Sequence, residues 1–344
     1  MPWTTPSINI SYASKNSKGI RELSYREAIC EAQRQLMSTD SRIFLMGEGI
    51  DDAGGVFGTT LGLADEFGCE RVVDTPIAEN GMTGVAIGAA INGMRPVFIH
   101  MRPDFVIISL DQLLNHAAKW FYMSGGQVSV PLTIRCVIGR GWGSAAQHSQ
   151  NIQGLLTHLP GIKVLMPATA QDAKGLLIAA ARDPNPVVIL EHRWLFDKTG
   201  HVPEELYETP VGRANICRYG SDVTIVATSI MVHEAMLAAE VLAADGYDPE
   251  IIDLRSIKPW DENCIAASVQ KTGRLVVADT GHQYGGVAAE IAARITELCF
   301  SALKTPVRRI TLPEAPVPAA ASLENIYFPG QLEIIAAVKD VSGG

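Results

Sequence analysis

The sequence predicts an α/β protein of two domains, each with a mostly parallel sheet flanked by helices. Short apolar runs alternate with longer amphipathic segments along most of the chain, the order that lays parallel strands side by side under helices. The rhythm breaks once, between His192 and Arg213, into mixed polar, proline and glycine residues that mark a boundary. A chain of 344 residues is also longer than one core of ordinary size takes up. The expected parts are a loose arm over 1–20, a first domain over 21–197, a linker over 198–213 and a second domain over 214–344.

The elements follow in order. Ser24 to Met37 has helical spacing and opens with Ser24 and Glu27 three apart, the pattern of a capping box. Arg42–Met46 is a buried strand, and Arg71–Asp74 is a short one that Thr75-Pro76 closes, because proline has no N–H for a continuing ladder. Met82–Ala90 is a glycine- and alanine-rich helix; Gly81, Gly84 and Gly88 leave one face bare enough for close approach of a backbone or a flat ligand. Arg95–His100 is a strand, Ser109–Tyr122 a helix, Pro131–Ile138 a strand and Gly139–Gly143 a loop. Lys163–Met166, helix Ala170–Arg182 and strand Pro186–Leu190 complete the first unit. In the second, strands Val223–Ala227, Pro249–Asp253, Arg274–Ala278 and Val307–Ile310 alternate with helices Met231–Ala244, Asp261–Lys271 and Gly286–Phe300.

Composition narrows the function classes. The chain is 47% hydrophobic and only 19% charged, below the usual quarter, which predicts surface covered by another subunit. A net charge of −9 argues against a nucleic-acid or anionic-membrane footprint, which needs a concentrated basic face. The six cysteines are dispersed, with no C-x-x-C pair, and are expected as buried thiols in a reducing compartment. No secretory signal and no membrane-spanning run is legible, so a cytoplasmic protein is expected.

Polar residues just after strands are candidates for a site, since ligands gather at the carboxyl ends of parallel strands. Glu79 stands at the mouth of the glycine-rich helix, where the helix dipole alone would also favour an acid. Glu48 follows the Arg42–Met46 strand, and Phe105 follows Arg95–His100. His148 sits on the loop beyond the glycine cluster, where an imidazole can move protons near neutral pH. Taken singly, these have ordinary readings: a loop acid, a core ring, a surface histidine. Other chemistries fail: there is no G-x-G-x-x-G opening a helix after a strand, no phosphate-binding G-x-x-x-x-G-K-[ST], no H-E-x-x-H and no Cys/His cluster.

Several strings occur together in order: LMGEG (45–49), RVVDTPIAENG (71–81), LDQLLNHAAKWFYMSGGQ (110–127), AAQHSQ (145–150), the run from PGIKVLMP to VVILE (160–191), LRSIKPWD (254–261) and PVRRITLPEAPVP (306–318). Through them, residues 21–338 or so resemble the β subunit of the thiamine-diphosphate-dependent 2-oxo acid dehydrogenase E1 family, of pyruvate, branched-chain and acetoin types. The resemblance implies a transketolase-like pyrimidine-binding domain followed by a transketolase C-terminal-like domain. It implies that Glu79 hydrogen-bonds the pyrimidine N1′ of the cofactor and exchanges a proton with it, that Phe105 packs on that ring, and that Glu48 lies beside it. His148 would stand near the substrate and the incoming lipoyl group. Leu132, Ala180, Asp183 and Asn185 match a potassium site of the family.

Family members hold the diphosphate through Mg²⁺ with a Gly-Asp-Gly motif, and this chain has none. The resemblance therefore implies that the Mg²⁺ ligands come from an E1 α subunit in an α2β2 heterotetramer, with helices 82–92 and 110–122 packed against the partner and a lipoyl-bearing E2 as acyl acceptor. The chain also departs from the family. His100-Met-Arg-Pro103 replaces the usual run before Phe105, and Arg140 and Trp142 lie on the loop before His148. His100, Arg102 and Arg140 are thus candidates to bind a substrate carboxylate or phosphate, or to pair with acids of the partner. Two other functions stay open: a split transketolase-like or acyloin-forming enzyme that uses an aldehyde acceptor, and a non-catalytic scaffold.

Overall fold

The computed structural model describes residues 21–141 and 143–343; the arm expected over 1–20 and Trp142 lie outside the described residues. The chain divides into two compact units, one of residues 21–138 and 159–211, the other of 139–158 and 212–343. Both are α/β, as the alternating pattern requires.

The first unit opens with β1 (Glu22–Ser24) and α1 (Tyr25–Thr39), and the capping box is present: Ser24 N–H donates to Glu27 Oε2 at 2.8 Å while Ser24 accepts from Glu27 N–H. There follow β2 (Ile43–Gly47), α2 (Leu63–Phe67), β3 (Val72–Asp74), α3 (Glu79–Ile91), β4 (Arg95–His100), α4 (Pro103–Ile108), α5 (Ala118–Met123) and β5 (Thr133–Ile138). A π-helical turn over Gln112–Ala117 joins α4 to α5, so the helix expected over Ser109–Tyr122 is three short pieces around a widened turn. After α6 (Gln153–Thr157), which belongs to the second unit, come β6 (Lys163–Leu165), α7 (Ala170–Arg182) and β7 (Val187–His192). Within this unit the sheet order is β6-β7-β5-β4-β2-β3, all parallel.

Because every strand runs the same way, Gly47, Asp74, His100, Ile138 and His192 end at one rim. An ion pair fixes the middle of this sheet. Arg135 on β5 and Glu191 on β7 are each 1% exposed; Arg135 Nε and Nη2 donate to the two Glu191 oxygens at 2.6 and 2.8 Å, and Nη1 donates to Gln33 Oε1 of α1 at 2.7 Å. A fork-on-fork pair of this kind fixes direction as well as distance. The segment expected as a linker over 198–213 carries β8 (Thr199–His201), which pairs antiparallel with β1; the contact boundary lies between Val211 and Gly212.

The second unit contains β9 (Asn215–Arg218), β10 (Val223–Ala227), α8 (Ile230–Ala244), β11 (Pro249–Asp253), the short β12 (Ser256–Lys258), α9 (Glu262–Thr272), β13 (Leu275–His282), α10 (Val287–Cys299), β14 (Arg308–Leu312), α11 (Ala321–Tyr327) and α12 (Gln331–Ser342). Its sheet order is β14-β13-β10-β11-β9, parallel except for β9 at the edge. The unit also takes in residues 139–158, an excursion that the sequence pattern does not announce. Cysteine burial differs from expectation. Cys30, Cys136 and Cys299 are buried and unpaired, but Cys217 and Cys264 are half-buried and Cys69 is exposed.

Candidate active site

The rim of the first sheet gathers acids. Glu79 is the first residue of α3 and is 7% exposed; Ala78 before it offers no side-chain cap. Its backbone oxygen accepts from Thr83 Oγ1 at 2.7 Å, fixing the first turn from inside. Of the helix's glycines, Gly84 meets only the Gln112 side chain, with Oε1 3.3 Å from where a Cβ would sit, and Gly81 and Gly88 have nothing within 4 Å. Asp74, ending β3, accepts from Gly49 N–H at 2.6 Å, and Thr75 N–H donates to Gly47 O at 3.0 Å. These two bonds tie the loop after β2 to the turn leading into α3. Glu48, half-buried on that loop, has its carboxyl pushed above the usual range, first by burial and then by the charges of Glu79 and Asp74.

Beside the acids lies the end of β4. His100 is 3% exposed with its ring 4.2 Å from that of Phe98, and among the described residues its Nε2 has no hydrogen-bond partner. Burial depresses its pKa to about 3, so the imidazole is neutral and offers a hydrogen bond rather than the charge that a surface histidine carries in acid. Arg102, 4% exposed, precedes α4 and stacks 5.8 Å from the centre of the Phe57 ring. Phe105, half-buried in the first turn of α4, donates its N–H to Arg102 O at 3.2 Å. Sequence reasoning missed Arg193, just beyond β7: its guanidinium lies 5.1 Å from the same Phe57 ring and 5.3 Å from Phe196. Burial, and then the like charges of Arg26 and Arg102, bring its pKa down to about 10. The available signal was its place after a strand end, masked by the proline- and glycine-rich segment that follows. Glu48, Glu79, His100, Arg102 and Phe105 thus share one rim of one unit.

His148 and Arg140 are in the second unit. His148 is exposed on the turn after Ala145, whose φ is +56°; its N–H donates to Ala145 O at 3.4 Å. Arg140 is engaged by the unit's own helix: Nη1 donates to Glu324 O at 2.8 Å and to Asn325 Oδ1 at 3.2 Å, and the guanidinium lies 5.0 Å from the centre of the Phe328 ring. Burial lowers its pKa to about 10 against the opposing pull of Glu324 and Glu234.

The potassium candidates lie by the amino ends of β5 and β7, at the opposite rim of the first sheet. Leu132 O accepts from Val187 N–H at 3.0 Å, Ala180 O from Asp183 N–H at 3.1 Å, and Asp183 O from Arg95 Nη1 at 3.3 Å. The Asp183 carboxylate pairs with Lys163 and accepts from Asn185 N–H at 2.9 Å. Each carbonyl keeps a second lone pair, while the carboxylate's charge is already matched. Among the described residues, no group of three or more His, Cys, Asp or Glu side chains is placed to hold a metal ion, and no helix is long and apolar enough to cross a membrane.

Two family models match the chain. Residues 21–198 match the family model of the transketolase pyrimidine-binding domain, and residues 212–334 that of the transketolase C-terminal domain. The β subunit of acetoin:2,6-dichlorophenolindophenol oxidoreductase from Cupriavidus necator is 44% identical, covering 94% of this chain and 99% of that subunit. The pyruvate dehydrogenase E1 β subunit of Rickettsia felis is 42% identical, covering 93% and 98%. A solved split-gene transketolase, an inactive β4 tetramer, superposes with a TM-score of 0.74 over 93% of this chain and 98% of its own at 24% identity, which bears on the fold. The chain belongs to the transketolase-type family that includes the β subunits of pyruvate dehydrogenase E1 and of acetoin:2,6-dichlorophenolindophenol oxidoreductase.

Proposed function

We propose that this chain is the β subunit of a 2-oxo acid dehydrogenase E1 which, with a separate α subunit, decarboxylates a pyruvate-like 2-oxo acid on thiamine diphosphate and hands the acyl group to a lipoyl domain. The observation that carries this reading is the pairing of Glu79, buried at the start of α3, with Glu48, whose carboxyl holds its proton to higher pH. Two neighbouring acids on one rim suit an aminopyrimidine, whose ring nitrogen takes a hydrogen bond and whose amino group gives one. Bound there, the cofactor would supply the electron sink for decarboxylation.

The chain's own residues then divide the work. Glu79 shares a proton between its carboxyl oxygen and the ring nitrogen. Glu48 sets a second acid beside the ring, its carboxyl raised by burial and by the neighbouring acids. Phe105 offers an apolar face against the ring, and neutral His100 with Arg102 orients the substrate carboxylate. His148, exposed on its own loop, moves a proton during transfer to the acyl acceptor. Mg²⁺ would be held by the α subunit, since this chain has no Gly-Asp-Gly; K⁺, if bound, would rest on the backbone oxygens near Leu132 and Ala180 with Asp183 and Asn185. The expected assembly is α2β2, in a reducing cytoplasm that suits six free thiols.

Glu79→Gln tests the reading. The variant should fold and associate with α as the wild type does, while decarboxylation by the reconstituted pair falls about 10²- to 10⁴-fold, the range for loss of a positioned proton-transfer group. Turnover near wild type would sink the assignment. Buried Arg102 favours one second reading, an acyloin-forming enzyme with an aldehyde acceptor; supplying the same pair with lipoyl domain or with aldehydes separates the two.

A further inference from the structure

The segment carrying His148 is built into the second unit at both ends. Before the histidine, Arg140 donates to Glu324 O and Asn325 Oδ1 and covers the Phe328 ring. Gly143, at φ +68°, passes so close to the chain that a Cβ there would stand 3.2 Å from Ala319 O. After the histidine, Gln153 is fully buried, and its Nε2 donates to Asp279 Oδ1 at 3.0 Å and Thr280 Oγ1 at 3.3 Å. Thr228 Oγ1 donates to the same Asp279 oxygen at 2.7 Å, so that carboxylate is itself held in place. A Cβ at Gly154 would lie 2.7 Å from Gly285 O, and Lys258 Nζ donates to Thr157 O at 2.7 Å. Between these fixed points the imidazole of His148 is exposed.

A loop of this length left free would sample many backbone states and present the imidazole in a productive place only a fraction of the time. The contacts above remove that freedom with polar bonds and glycine-only approaches, which specify a path, rather than with apolar packing, which tolerates sliding. We infer that Gln153 and Arg140 are positioning residues for His148: each pins one end of the loop to the second unit, Gln153 through Asp279 and Arg140 through α11. This rests on the reading of His148 as a group that serves acyl transfer.

The test is a set of double-mutant cycles in the enzyme reconstituted with its α subunit, measuring kcat and KM for transfer to a lipoyl domain. Gln153→Leu and Arg140→Met should each lower kcat about tenfold to a hundredfold, the scale of a small misplacement of a reacting group, with KM for the oxo acid changed less than about twofold. In a His148→Ala background, neither substitution should lower kcat further, because its effect passes through the missing imidazole. Equal losses with and without His148 would mark the two as merely structural and overturn the inference, as would wild-type kcat in both single variants while His148→Ala is impaired. Wild-type kcat in His148→Ala would instead overturn the reading of His148 on which the inference stands. Should Gln153→Leu fail to fold, the Arg140 cycle decides from the other end of the loop.

Discussion

Glu48 is a raised carboxyl on a rim that already holds Glu79 and Asp74. Its folded pKa lies above the unfolded one, so between the two the native state binds more protons; stability falls as pH rises through that window and stays lowered above it. Glu48→Gln removes the penalty. The isolated chain should therefore melt higher than wild type at pH 7, with the gain vanishing below the ordinary glutamate range, where both states carry the proton. His100 works the opposite way. Its pKa is about 3 when folded against 6.5 in the unfolded chain, so no cost exists above 6.5 and one grows as pH falls toward 3, to roughly 5 kcal/mol at about 1.4 kcal/mol per unit. His100→Leu should flatten the loss of stability between pH 6.5 and 4 in denaturant titrations; an unchanged slope would contradict the burial of this ring. The acids and Phe105 were legible as site candidates because each follows a strand end. The neutrality of His100 and the nearness of Arg193 to Arg102 were not, because burial and shared rings are properties of the folded chain.

At the scale of elements, the best-read pieces are those whose apolar runs are bounded by breakers. β4, α7, β10 and β11 begin and end where the sequence places them. What escaped were pieces whose local sequence does not decide their state. β9 holds Asn215, Cys217 and Arg218 at an antiparallel edge, and its pairing with β11 is set by a partner far along the chain. The π-helical turn over Gln112–Ala117 has ordinary helical composition, and its widening is a matter of packing. The Arg135–Glu191 pair joins β5 to β7 and, through Gln33, to α1. Replacing Arg135 alone by Met leaves a carboxylate buried without its partner and should cost about 3–5 kcal/mol. Arg135→Met with Glu191→Leu should recover most of that loss in equilibrium unfolding; failure to recover would mean the strands depend on the pair itself.

At the scale of the whole molecule, the first unit exposes apolar side chains beyond what scattered surface residues explain. Ile77 is 84% and Tyr122 86% exposed, and Val85, Ile108, Phe121 and Met123 are exposed as well. With the open glycines of α3, they suit the expected α partner. Gly88→Leu should leave the isolated chain at least as stable, since a Cβ there meets nothing within 4 Å and glycine disfavours helix by roughly 0.5–1 kcal/mol. It should weaken association with α at least tenfold or so, about 1.4 kcal/mol, as followed by sedimentation. Undiminished binding would place the partner elsewhere. The excursion over 139–158 bears finally on biosynthesis. Asp279 follows Gln153 by 126 residues, so at about 5–20 residues per second the ribosome leaves this strip of chain waiting roughly 6–25 s for its carboxylate. Cutting the gene between Val211 and Gly212 would yield one fragment with an orphaned strip and another lacking it. The two halves of this protein are consequently not separable reading frames, and only the finished chain can set the loop that bears His148.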